Sequence, residues 1–214
     1  MSDPWAGPAD APALKRWGML PLVFAAAGAA GGVADALASE AIIGRYGGDA
    51  ESCAWIGGGI GLGIGAALSL SRRWWIGVPL APFLGAAGYA MMAIVCNALH
   101  GERWFPRTKD LLEDGFLSEL AAVAAPVLVL GHLVWLRWTR LRGSLPLSIA
   151  FYSWLGAVSG SVFWWDFGKG PVSREFAMGL LNGAIYGLFQ LAAMRVARAM
   201  ASGPGPAEEA RTPS

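Results

Sequence analysis

Charge is what this chain has least of. Only 14% of its 214 residues are Asp, Glu, Lys or Arg, where a soluble domain carries about a quarter. None of those residues falls in six runs: Trp17–Ala34, Ser52–Ser71, Trp74–Gly101, Leu120–Leu136, Gly143–Trp165 and Phe176–Met194. Histidine and cysteine are nearly as scarce, with two of each. A protein metal site needs three or four converging ligands, which two histidines and scattered acids do not specify. His100 lies at the end of the third run and His132 far along the fourth, roughly 20 Å apart in depth if the runs are antiparallel helices. They cannot share a haem, so neither metal nor cofactor is expected. A net charge of +1 gives no footing for nucleic acid.

What the chain has instead is length of apolar sequence. A bilayer core is about 30 Å thick and a helix rises about 1.5 Å per residue, so a span takes about 20 apolar residues. A helix also satisfies its own backbone hydrogen bonds, which lipid cannot do. The expectation is an all-α polytopic membrane protein, with spans at about 17–37, 53–71, 75–98, 117–136, 145–165 and 176–194 inside a membrane domain of residues 15–200. The ends, 1–14 and 201–214, are rich in Pro, Ala, Gly and acids and read as disordered tails. Ala36-Leu37-Ala38 resembles a signal-peptide cleavage site. The apolar run before it exceeds a usual h-region of about 7–15 residues, so a retained helix is expected.

The basic residues set the orientation. Lys15, Arg16, Arg72, Arg73, Arg137, Arg140, Arg142, Arg195, Arg198 and Arg211 fall on one side of the alternating spans. Arg45, Arg103, Arg107, Lys109, Lys169 and Arg174 fall on the other. The positive-inside rule places the richer side, with both termini, in the cytoplasm, and a bacterial inner (plasma) membrane is the expected location. Of the acids, only Asp3, Asp10, Glu208 and Glu209 share that side.

Glycine organises the runs. Gly57, Gly61 and Gly65 lie four apart in the second, with Gly59 and Gly63 read as an adjoining line, and Gly179, Gly183 and Gly187 repeat the spacing in the sixth. Small residues four apart share one helix face and let two backbones approach closely. The first, third and fifth runs each open with Arg, then Pro: Arg16 and Pro21, Arg73 and Pro79, Arg142 and Pro146. Proline suits a first helical turn, where its missing N–H would be unpaired anyway. The recurrence is also what a threefold repeat of helical hairpins would leave.

Few side chains point to chemistry. Asn182, Tyr186 and Gln190 form a polar line in the sixth run, read either as a solute path or as hydrogen bonds between helices. Asp35, Glu40, His100, Glu119 and Asp166 all fall near the outer ends of spans and are candidates for a vestibule, with Asp35 and Glu40 closing the first span. Cys53 and Cys96 sit at similar outer depth on consecutive spans and are candidates for a disulfide. Ser159-Gly160-Ser161 has no histidine after it to serve as a base, and the glycine run at 57–65 lacks the Lys-Ser/Thr of a phosphate-binding loop. No catalytic residue is assigned. The leading expectation is a non-enzymatic accessory or assembly subunit of a membrane complex, contacting lipid and a membrane-protein partner or a second copy. A small-solute permease or channel with its polar path along the sixth helix is the alternative.

The topology is directly testable. Reporter fusions at Arg73 and Arg142 should score cytoplasmic, and fusions at Arg45, Lys109 and Gly170 external; one clear reversal among the five overturns the orientation.

Overall fold

The computed structural model describes residues 12–43, 50–70, 74–101, 131, 134, 138–167 and 172–202. The helices in these segments are α1 (Pro12–Ile43), α2 (Ala50–Leu70), α3 (Trp74–His100), the single turn α4 (Thr139–Gly143), α5 (Leu145–Phe167) and α6 (Val172–Ser202). Among the described residues, four stretches are long and apolar enough to cross a membrane: Gly18–Ile42, Ala50–Leu70, Ile76–His100 and Gly179–Ala197. The protein is therefore all-α with the character of a multi-pass membrane protein. The fifth apolar run forms α5, and the fourth lies outside the described residues apart from Gly131 and Val134.

The helices overrun the apolar runs that announce them. α1 starts at Pro12 and continues past Asp35 and Glu40 to Ile43, while α6 reaches Ser202. A helix does not stop where the lipid does, because Lys15, Arg16, Arg195 and Arg198 are all good helix formers. Pro21 consequently lies well inside α1, and Pro79 and Pro82 lie inside α3. Only Pro146 keeps the expected first-turn position, just after Ser144. There the Leu147 N–H reaches the Ser144 Oγ at 3.5 Å, the usual N-terminal capping role of serine. α3 ends differently. Gly101 takes a positive φ of 88° and its N–H bonds the Asn97 carbonyl at 2.9 Å, a left-handed turn that a Cβ would disfavour.

Neighbours along the chain are neighbours in space. α2 packs on both α1 and α3, α5 on α6, and α6 returns to α1; Gly131 sits against the Leu155 side chain of α5. Glycine sets the closeness of these contacts. A carbon added at Gly28 would overlap the Gly57 carbonyl, and one at Gly61 would overlap that of Phe24. Across α5 and α6, Gly156 meets the Gly183 carbonyl and Gly187 meets that of Tyr152. Gly59 and Gly63 do not adjoin the Gly57 line as the sequence reading has it. Two residues advance a helix by about 200°, so they lie on the opposite side of α2, where they meet Gly88 and Leu84 of α3. α2 is thus a slab of backbone with a helix against each face.

The main apolar core gathers at one end of the bundle. Leu20 and Phe24 of α1, Leu68 of α2, Val78 of α3, Leu141 of α4, Tyr152 of α5 and Met194 of α6 are all buried in one cluster. This is the end where α1, α3 and α5 begin and α2 and α6 finish. A smaller cluster of Tyr89, Ala93 and Cys96 with Trp55 and Ile56 joins α2 to α3 toward the other end.

These contacts rank glycine replacements. Gly61→Leu and Gly183→Leu drive a side chain into facing backbone, whereas a carbon at Gly143 meets nothing within 4 Å. Both should lose at least roughly 1–3 kcal/mol, the range for overpacking, and should lower folded yield. Gly143→Leu should purify and melt as the parent does, and equal tolerance at all three positions would overturn the backbone-contact account.

Candidate functional site

The polar line of α6 meets α1 at Asn182 and α2 at Tyr186. Residues 182 and 186 sit one helical turn apart on the face that α6 presents to the α1–α2 hairpin. The Ser39 Oγ of α1 donates to the Asn182 Oδ1 at 3.3 Å, between two buried side chains. The Tyr186 ring lies beside Gly57 of α2, the missing side chain there leaving room for it. Gln190 is half-buried one turn deeper, and the adjacent Phe189 seats its ring on Gly31 of α1.

Asp35, Glu40 and His100, the described members of the expected vestibule, lie in different surroundings. Asp35 does not end the first span: it lies inside α1, only 8% exposed, and about 10 Å short of Ile42 along the helix axis. Glu40 is exposed, because five residues advance the helix by about 500°, some 140° away from Asp35. His100 pairs instead with Glu51 at the start of α2, at 3.5 Å. Glu119 and the Asp166 side chain lie outside the described residues. Of the described vestibule residues, Asp35 lies one turn from Ser39, which bonds Asn182 of α6.

The candidate disulfide is not made, for a reason of register. Cys53 belongs to the line of α2 that faces α1, where a carbon at Gly32 would run into its carbonyl. Cys96 packs in the cluster with Trp55 and Ile56, on the side of α2 that α3 covers. Equal depth placed the two at one level, and the azimuth separates them.

Two contributions were missed from the sequence. Ser39 lies one turn beyond Asp35 on the same face, a spacing that could have singled it out. The other is at the end where α5 begins, where Arg195 of α6 donates through Nη2 to the Ser148 Oγ at 3.2 Å. Ser148, fully buried, in turn donates to the Leu141 carbonyl. This clasp ties α4, α5 and α6 together. It brings a guanidinium within the apolar length of α6, where an Arg can keep its charge by reaching toward the interface.

Ser161 donates to the Ala157 carbonyl one turn back at 2.7 Å, the local bond of a helix serine. Among the described residues no three His, Cys, Asp or Glu side chains gather as a metal site would require. Comparison with known proteins adds no assignment: no family model, curated protein or solved structure matches the chain.

The Ser39–Asn182 bond can be weighed by a double-mutant cycle of Ser39→Ala and Asn182→Ala. Interhelical hydrogen bonds in membranes couple by about 0.6 kcal/mol and at most about 1.7. Thermal or denaturant unfolding in detergent should return a coupling in that range, and zero coupling would mean that the contact does not stabilise the bundle.

Proposed function

We propose that this chain is a six-span protein of a bacterial inner membrane, with both termini cytoplasmic, that passes a small solute along the polar face of α6. The observation that carries the reading is the inward turn of that face. Asn182 accepts from the buried Ser39 hydroxyl of α1, one turn from the buried Asp35, and Tyr186 packs on Gly57, where apolar filler would pack at lower cost. The likeness between the two glycine-packed hairpins, α1–α2 and α5–α6, supports it further, since transporters built from repeats place their solute sites where the repeats meet.

A second reading keeps the protein as an accessory subunit that binds a membrane-protein partner or a second copy of itself. The inner core favours this one. Phe24, Leu68, Tyr152 and Met194 fill that end from four helices, as in a rigid scaffold.

Water access along α6 separates the two. In a chain with Cys53 and Cys96 replaced by Ala, single cysteines at Asn182, Tyr186 and Gln190 should react with a membrane-impermeant thiol reagent. Cysteines at Leu180 and Leu188, which face outward, should stay protected by lipid. Protection at all three polar positions, with a larger membrane protein co-purifying in mild detergent, would replace the permease reading with the subunit reading.

A further inference from the structure

The corner where α4, α5 and α6 meet is built from stretches that carry arginine and no acid. Between Glu119 and Asp166 the chain has Arg137, Arg140 and Arg142 but no Asp or Glu. Between Glu175 and Glu208 it has Arg195 and Arg198, again with no acid.

The structure places two of these guanidiniums. Arg195 is half-buried and lies inside the apolar stretch Gly179–Ala197. Its Nη2 donates to the Ser148 Oγ at 3.2 Å, and Ser148 donates in turn to the Leu141 carbonyl. Arg140 is exposed on α4 and precedes Leu141 in the chain. Among the described residues no carboxylate pairs with either arginine, while His100 and Glu51 pair at the opposite end of the bundle. Arg195 is also short of acceptors. A guanidinium has five N–H donors, yet the buried Nε has no hydrogen-bond partner among the described residues.

The position adds to the imbalance. Ser148 lies in the first turn of the 23-residue α5, at the positive end of the helix dipole, where a cation is disfavoured. The other glycine-packed hairpin shows that packing does not call for one. Gly28 meets the Gly57 carbonyl as Gly156 meets that of Gly183, and Gly61 meets that of Phe24 as Gly187 meets that of Tyr152. In that register Leu20 and Ser69 stand where Ser148 and Arg195 do, and Ser69 bonds back to the Ala66 carbonyl of its own helix.

We propose that this corner binds the phosphate of an anionic phospholipid headgroup. Arg195 donates to the phosphate oxygens, Arg140 adds a second positive charge, and Ser148 positions Arg195. Guanidinium matches phosphate through two parallel N–H···O bonds, and basic pockets between membrane helices hold headgroups of this kind. Trp138, Leu145 and Leu147 are exposed along α4 and the start of α5 and suit the boundary between headgroups and acyl chains. The excess of positive charge selects a net negative lipid over a zwitterionic one. The site requires only that the chain spans a membrane, whether the bundle passes a solute or supports a partner.

A ligand that binds only the folded state raises its melting temperature in a saturable way. The full chain, delipidated in dodecyl maltoside, is titrated with dioleoylphosphatidylglycerol, dioleoylphosphatidylcholine or sodium phosphate at constant ionic strength. Phosphatidylglycerol should saturate, phosphatidylcholine should need at least about tenfold more, and inorganic phosphate should give no saturable rise. Arg195→Gln should raise the half-saturating phosphatidylglycerol concentration at least about tenfold and Arg140→Gln about threefold. Ser69→Ala should leave it unchanged. Arg140 is exposed, so its variant decides the matter if Arg195→Gln does not fold. A flat response to phosphatidylglycerol, an equal response to phosphatidylcholine, or unchanged saturation in whichever arginine variants fold overturns the proposal. Saturation by inorganic phosphate as tight as by phosphatidylglycerol would assign the corner to a free anion and overturn the lipid.

Discussion

Everything in this bundle depends on how closely one helix backbone can approach another. In hydrocarbon, apolar side chains gain nothing by leaving lipid for protein, so helices associate through dispersion contacts and the hydrogen bonds that short distances allow. Glycine shortens the distance most. At Gly28 with Gly57, Gly59 with Gly88, and Gly156 with Gly183, the Cα of one helix faces a carbonyl of the next with no side chain between them. Three helix pairs are fastened this way, and α2 takes part in two of them from opposite faces. A β-carbon at any of these points would force backbone to move, which makes the contacts selective for one register as well as tight.

That register determines what the other side chains can do. Where glycines meet, nothing larger than a backbone fits, and the junction carries no chemistry. α6 and α1 meet instead through Phe189 on Gly31 and Ser39 on Asn182. The junction made by side chains is the one that admits polar groups. The end where α1 begins is different again: aromatic and aliphatic side chains from all six helices fill it, and the Arg195–Ser148–Leu141 clasp closes it on the α4–α5–α6 side. A buried carboxylate and a buried hydroxyl of α1, Asp35 and Ser39, lie toward the other end.

Much of this was legible in the residues. Charge-free length gave the membrane character, and spacing by four singled out the Gly57 and Gly179 lines and the Asn182–Tyr186–Gln190 line. Each of these is a property of a single helix, and helical periodicity fixes it whatever the neighbours do. Position along an axis was partly legible for the same reason: Cys53 and Cys96 were placed at the same end of α2 and α3 by counting, while Asp35 lies further inside α1 than expected. The proline reading failed at Pro21 and Pro79 because the edge of the lipid and the end of a helix are set by different energies.

Azimuth was not legible. Whether Gly59 adjoins or opposes Gly57 is simple helix arithmetic, but which helix lies against each face depends on a partner that one helix does not specify. For that reason Cys53 and Cys96, at one depth, are covered by different neighbours, and Asp35 and Glu40, five residues apart, part company. Ser39 attracted no notice because a serine in an apolar run is ordinary until Asn182 stands opposite it. The sequence by itself determined that these helices exist, how long they are and which of their faces are bare backbone or polar. Only the tertiary structure decided which faces meet, because the pairing energy of two helices belongs to both and is written in neither alone.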